Sequence, residues 1–134
     1  MSVWNADIIE EFRANDGKVG GMFSGVSLLL LHTTGAKSGQ ERVTPLAYQD
    51  LDGSYAIFAS KAGAPSNPDW YYNVVANSGV SIEIGSDTVE ASARVAGTAE
   101  RQPIWDHQKE ALPQFAEYEA KSGRTIPVII LDPK

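Results

Sequence analysis

The 134-residue chain has no cysteine, which excludes a disulfide scaffold, a thiolate nucleophile and any zinc or iron–sulfur site that depends on sulfur. Histidine is nearly as scarce. His32 and His107 lie far apart with no HExxH spacing, so an imidazole metal cluster or a Ser-His-Asp triad has little to be built from, and no metal site is expected. Positive charge is also short: 11 Lys and Arg against 17 Asp and Glu leave a net charge of −6, and a nucleic-acid partner needs the opposite sign. Apolar runs such as the leucines at 28–31 fall far below the ~20 residues that cross a bilayer. Asp7, Glu10 and Glu11 stand where a signal peptide would be basic and then apolar. The expectation is a cytoplasmic protein, residues 1–134 forming one domain, monomeric, acting on a small molecule. No integral membrane segment and no nucleic-acid partner are expected.

Punctuation and periodicity divide what is there. Ile8, Ile9 and Phe12 have helical spacing behind Asn5, which reads as an N-cap, and Asn15-Asp16-Gly17 reads as the stop. After a glycine-rich link at 17–25, the apolar run 26–32 predicts a strand buried on both faces. Further strands are predicted at 42–49, 55–60, 80–84, 88–95 and 126–131, with Pro45 marking an edge or bulge in the first of these. Asn67 and Pro68 read as cap and first residue of a helix that puts Trp70, Tyr71, Val74 and Val75 on one face. Thr98 caps another helix to about Leu112, and a short one covers 115–121. Hairpins interspersed with helices argue for an α+β domain around a mostly antiparallel sheet or small barrel. Trp4, Ile8, Ile9 and Phe12 leave open whether the first helix docks on that sheet, on a partner or at the periphery of a membrane.

Three segments carry candidate chemistry. The loop after the first strand holds Lys37, Ser38 and Arg42 beside two glycines, a positive island in an acidic chain. A point charge, a bidentate fork and a hydroxyl suit an anion, although the same residues also make an ordinary polar hairpin loop. The second segment, Ala59, Ser60, Lys61, Ala62 and Gly63, leads through small residues to Asn67 and Trp70. Bare backbone there gives a flat ring somewhere to lie, or simply connects strand to helix. The third pairs Phe115 with Tyr118 at i, i+3 on the last helix, as core packing or as a pocket wall, with Arg124 close behind.

Taken in order, LHTTGAKSGQERVTPL, FASKAGAPSNPDWYYN and RTIP resemble the deazaflavin (coenzyme F420)-dependent nitroreductase family of actinobacterial split-barrel reductases. The resemblance implies an FMN-binding-like split β-barrel and an oxidoreductase that uses reduced F420 as hydride donor. It implies Lys37, Ser38 and Arg42 for the coenzyme's anionic tail, and Thr44, Pro45 and Leu46 along its ring system. Ala59, Ser60, Lys61, Ala62 and Gly63 would meet the ring edge, with Asn67 and Trp70 shaping the cleft. Substrate would meet Ala47, Phe115 and Tyr118, with Tyr118 or Ser60 as the catalytic hydroxyl. The implied substrates are electron-poor conjugated molecules: cyclic enones, coumarin-type lactones, quinones or nitro compounds. Family members with an aromatic residue at the place of Ala47 and a tyrosine at that of Phe115 differ on the substrate side. An FMN-binding split-barrel protein, a non-catalytic F420 carrier and a haem-binding module are the alternatives. A coenzyme that carries the hydride chemistry also accounts for the missing catalytic triad.

Overall fold

The computed structural model describes residues 3–15 and 28–134, and among them six antiparallel strands close into a barrel in the order β1-β2-β3-β6-β5-β4. They are β1 (Leu28–Thr34), β2 (Glu41–Asp50), β3 (Tyr55–Phe58), β4 (Gly79–Ile84), β5 (Asp87–Val95) and β6 (Val128–Pro133). The helices are α1 (Val3–Ala14), α2 (Asp69–Ala76), α3 (Thr98–Ala111) and α4 (Gln114–Ser122). This is the α+β split barrel that the motifs implied.

Period-two alternation sorts the core into an inside and two outer layers. Leu29 and Leu31, with Ile57, Val80, Ile82, Ala91, Ala93, Ile129 and Leu131, fill the barrel, and Trp70 and Val74 of α2 plug it. The alternate residues Leu28 and Leu30 face outward under Ile8, Ile9 and Phe12 of α1. On the other flank Ala56, Phe58, Val128 and Ile130 lie beneath Ile104 and Trp105 of α3 and Phe115 of α4. Of the run 26–32 expected to be buried on both faces, Leu28–Leu31 are each at most 5% exposed, while His32 at its end is only partly buried. The apolar face of α1 packs on the barrel.

Several sequence-level boundaries move. α1 begins at Val3, so Asn5 lies inside it instead of capping it, and its first turn holds no acid. Asn15 does end it, donating from both its backbone N–H and Nδ2 to the Glu11 carbonyl. The link at 17–25 and the strand start at 26–27 lie outside the described residues. β3 stops at Phe58, two residues early, because the chain turns at Ser60 and Lys61. α2 starts at Asp69 with Pro68 in the cap position, since the Asn67 side chain is engaged elsewhere, and Val75 is exposed, not on the buried face. Gly97, not Thr98, occupies the cap of α3.

Polar contacts fasten the layers. Arg13 of α1 donates to both carboxylate oxygens of Glu83 on β4 at 3.0 and 2.7 Å, and His32 Nε2 lies 2.6 Å from Glu83 Oε2. Arg94 on β5 similarly joins Glu100 of α3 to Asp132 of β6. The Arg13 guanidinium, ahead of the opposing effect of burial, holds the Glu83 carboxyl below the usual glutamate range, with His32 adding in the same direction. A carboxyl lowered in this way stabilises the fold above its unfolded value of about 4.3 and stops doing so as acid protonates it. Urea unfolding of the wild type and Glu83→Gln at falling pH is therefore expected to show a gap in midpoint that narrows below about pH 4. A gap that stayed constant would remove the Arg13–Glu83 pair from the docking of α1.

Candidate active site

β2 is ten residues long and β3 only four, and this mismatch opens the barrel wall. β2 pairs with β1 from Glu41 to Ala47, but with β3 only at Tyr48, Gln49 and Asp50. The half of β2 that contains Thr44, Pro45, Leu46 and Ala47 therefore behaves as an edge, which is why Pro45 is tolerated there. Past Phe58 the chain leaves β2 and turns into the 59–67 segment. Thr44 and Leu46 stand opposite Leu31 and Leu29, the leucines that face the interior. Pro45 and Ala47 stand opposite Leu30 and Leu28 on the outer face. The residues implied for the ring are thus divided between the two faces of one strand.

The first candidate group sits on a loop that is internally hydrogen-bonded. Gly35 N–H donates to the Gln40 carbonyl at 2.8 Å, Gly39 N–H to the Gly35 carbonyl at 3.0 Å, and Gln40 N–H to Ser38 Oγ at 3.2 Å. Lys37, Ser38 and Arg42 are all exposed on this loop and at the start of β2. Asn73, buried in α2, fixes it: Asn73 Oδ1 accepts from Ala36 N–H at 2.9 Å, and its Nδ2 donates to Thr33 Oγ1 at 3.3 Å. Asn73 was not foreseen. Its sequence signal was an Asn between Tyr72 and Val74, a polar residue on the otherwise apolar face of a helix.

The second group is gathered by Arg124, which lies between α4 and β6. Its Nε donates to the Ala64 carbonyl at 3.2 Å and its Nη1 to Asn67 Oδ1 at 2.7 Å. Nη2 reaches the carbonyls of Ala59 at 2.8 Å, Ser66 at 3.0 Å and Ser60 at 3.4 Å. Ser60 is half-buried, Lys61 is exposed, and Lys61, Ala62 and Gly63 form one short 3-10 turn. Lys61 has φ +47°, a left-handed conformation that a non-glycine residue adopts only under outside constraint. A Cβ on Gly63 would lie 3.2 Å from Tyr118 Cα, so α4 packs directly on this turn.

Tyr118 is half-buried and its ring meets Phe115 edge-on at 5.2 Å between centroids. Phe115 itself is 7% exposed and packs against Phe58 and Trp105. Trp70 is 5% exposed in the barrel interior. The structure therefore brings Ala59, Ser60, Lys61, Gly63, Asn67 and Tyr118 together, and Lys37, Ser38 and Arg42 together, joined by α2. A cavity of about 300 Å³ lies elsewhere, lined by His32, Thr34, Glu41, Ser81, Glu90 and Lys134 among others, and contains none of the candidate residues.

The described lysines and arginines divide into those paired with carboxylates and those that are not. Arg13, Arg94, Arg101 and Lys109 are paired with carboxylates. Among the described residues Lys37, Arg42 and Lys61 have no such partner, and neither do Lys121, Arg124 and Lys134. The amides of Ser60 and Lys61 likewise take part in no described hydrogen bond. Unpaired cations and free N–H groups around an opened edge strand suit a ligand with an anionic tail and a ring that carries hydrogen-bond acceptors.

An enzyme built on a split barrel, with a coenzyme as its source of redox chemistry, is the class these features define. The profile of the F420H(2)-dependent quinone reductase family matches residues 4–133, and the chain belongs to that family. An F420H(2)-dependent quinone reductase of Mycobacterium tuberculosis is 35% identical over 124 residues, covering 90% of this chain and 83% of the relative. A solved F420H2-dependent reductase superposes with a TM-score of 0.72 at 43% identity, over 78% of this chain and 93% of its own. Another structure, described as a domain-swapped dimer, superposes with a TM-score of 0.74 at 38% identity, over 96% and 97% of the two chains. The haem storage protein HutZ of Vibrio cholerae, with a TM-score of 0.58 at 17% identity over 97% and 90%, shares the fold. The protein is thus an F420H2-dependent oxidoreductase with reduced F420 as hydride donor. No helix among the described residues is long and apolar enough to cross a membrane.

Proposed function

We propose that this protein reduces quinones and related electron-poor conjugated compounds, such as cyclic enones and coumarin-type lactones, at the cleft between the edge half of β2 and the 59–67 turn. The observation that carries this reading is the set Lys37, Arg42 and Lys61, cations without carboxylate partners on the segments bordering that cleft. When bound, reduced F420 supplies the hydride. The chain's own residues bind, orient and exclude water. Lys37, Ser38 and Arg42 hold the anionic tail, the amides of Ser60 and Lys61 meet ring acceptors, and Thr44, Pro45 and Leu46 border the ring system, with Ala47 on the substrate side. Hydride addition to a quinone leaves an oxyanion that takes one proton, and Tyr118 Oη stands on the helix packed against the turn. Ser60 or water is the alternative donor.

Oxidation of reduced F420 in the presence of quinones, enones and nitroaromatics tests this directly. Consumption with quinones is expected, and absence of turnover across the panel would reduce the protein to a carrier. Titration with F420, FMN and haem is expected to give tight binding of F420 alone. Tyr118→Phe is expected to lower turnover roughly tenfold, because water replaces a lost general acid only in part, while coenzyme affinity stays unchanged. An unaltered rate on several substrates would remove Tyr118 from proton delivery. The chain acts as a monomer in this reading, since its own α1 covers the outer face of β1, and sedimentation distinguishes that state from a swapped dimer.

A further inference from the structure

We propose that Arg124 is a positioning residue for the coenzyme's ring edge: it ties down the carbonyls of Ala59, Ser60, Ala64 and Ser66 and so fixes the turn that presents the amides of Ser60 and Lys61. This inference rests on the F420 reading of the cleft. The carbonyls of Ala59, Ser60, Ala64 and Ser66 and the side-chain oxygen of Asn67 all receive hydrogen bonds from this one guanidinium, at 2.7 to 3.4 Å. Such carbonyls would otherwise repel the oxygens of a ring or an anionic substituent. With these carbonyls held, the amides of Ser60 and Lys61, which take part in no described hydrogen bond, are left to meet a ligand.

The fork geometry is essential. A planar guanidinium reaches several carbonyls from fixed directions, whereas an ammonium is a single point on a flexible stem. The same contacts explain how Lys61 is held at φ +47°, because the carbonyls on both sides of the turn are anchored to one rigid group. They also set the distance between two parts of the cleft. Arg124 follows α4 by two residues, and α4 carries Tyr118 against Gly63, so ring edge and proton donor share one anchor. Arg124 touches no reacting atom and acts through the segment it holds.

The test compares wild type, Arg124→Ala, Arg124→Lys and Asn67→Ala as full-length proteins. Amide exchange is read without coenzyme, and F420 titration and kinetics follow. Exchange at Gly63 and Ala64, the amides closed within the turn, is expected to quicken in both Arg124 variants while barrel amides keep their protection. F420 affinity is expected to fall on the order of tenfold to a hundredfold, since charge-assisted bonds are lost. The KM for coenzyme rises more than that for quinone. Added guanidinium at a non-denaturing concentration is expected to restore affinity in Arg124→Ala and not in wild type, and Arg124→Lys gives little rescue. Asn67→Ala, which removes one contact, shows a smaller change in the same direction, and stands as the decisive variant if the arginine variants do not fold. Unchanged exchange and affinity in a folded Arg124→Ala, or in Asn67→Ala where the arginine variants do not fold, would overturn the proposal, as would full rescue by lysine. Failure of wild type to bind F420 would overturn the coenzyme reading instead. Exchange in the ligand-free proteins still decides whether Arg124 positions the segment.

Discussion

Lys37→Ala and Arg42→Ala are each expected to weaken F420 binding by ~1–3 kcal/mol, roughly 5- to 150-fold, if each loses a charge-assisted contact to the coenzyme's anionic tail. Both side chains are exposed and have no carboxylate partner among the described residues. Their removal therefore leaves no buried charge behind, and the urea midpoint should move by less than about 0.5 kcal/mol equivalent. That separation of binding from stability is the signature of a ligand-facing charge. The two residues share a short loop closed by the Gly35–Gln40 hydrogen bond, so a double variant should lose less than the sum if they grip the same phosphate. Wild-type affinity should also fall with added salt, and the double variant should respond less. Fluorescence titration of oxidised F420 measures all of this, and unchanged affinity in both single variants would take the loop out of the site.

The loop's cations were legible in the sequence because a positive island in a chain of net charge −6 stands out by composition alone. The architecture was legible in outline: alternation at Val89, Ala91, Ala93 and Val95 and turn signals at Asp52-Gly53 and Gly85-Ser86 marked the hairpins. What the local pattern did not disclose is the closure of β1 on β4 and the insertion of β6 between β3 and β5. These are long-range pairings, and strand propensity carries no information about partner choice.

Side-chain commitments were equally hidden. Asn67 before a proline reads as a helix cap, and local chemistry favours that reading. Arg124, 57 residues later, takes the same oxygen at 2.7 Å, and a charge-assisted bond outweighs a cap. Phe115 and Tyr118 share a helix face as expected, yet one is buried among Phe58 and Trp105 and the other is half-exposed beside Gly63. Spacing fixes a face, but whether that face meets core or cleft depends on how far the helix extends beyond the strands beneath it. Asn73 shows the same limit: nothing next to it in sequence announces that it will hold Ala36.

Gly63→Ala is expected to cost roughly 2–5 kcal/mol in unfolding free energy, from two separable sources: left-handed backbone strain of ~1–2 kcal/mol and overpacking of ~1–3 kcal/mol. Gly63 has φ +87°, and an added Cβ would lie 3.1 Å from Lys121 Cδ, 3.2 Å from Tyr118 Cα and 3.3 Å from Lys121 Cβ. The lysine stem can swing aside, but Tyr118 Cα is helix backbone, so relief requires α4 to move. Gly123, which ends α4 at φ +65° with nothing within 4 Å of its built Cβ, supplies the control, because Gly123→Ala pays the backbone strain alone. The difference between the two variants in chemical denaturation therefore measures the contact between turn and helix. Turnover should separate them further. Displacing α4 carries Tyr118 away from the Ser60–Gly63 turn, so Gly63→Ala should lose kcat with the folded fraction held constant, while Gly123→Ala keeps it. Equal stability losses and equal kcat in the two variants would mean that the close approach of α4 to the turn contributes nothing to the active site.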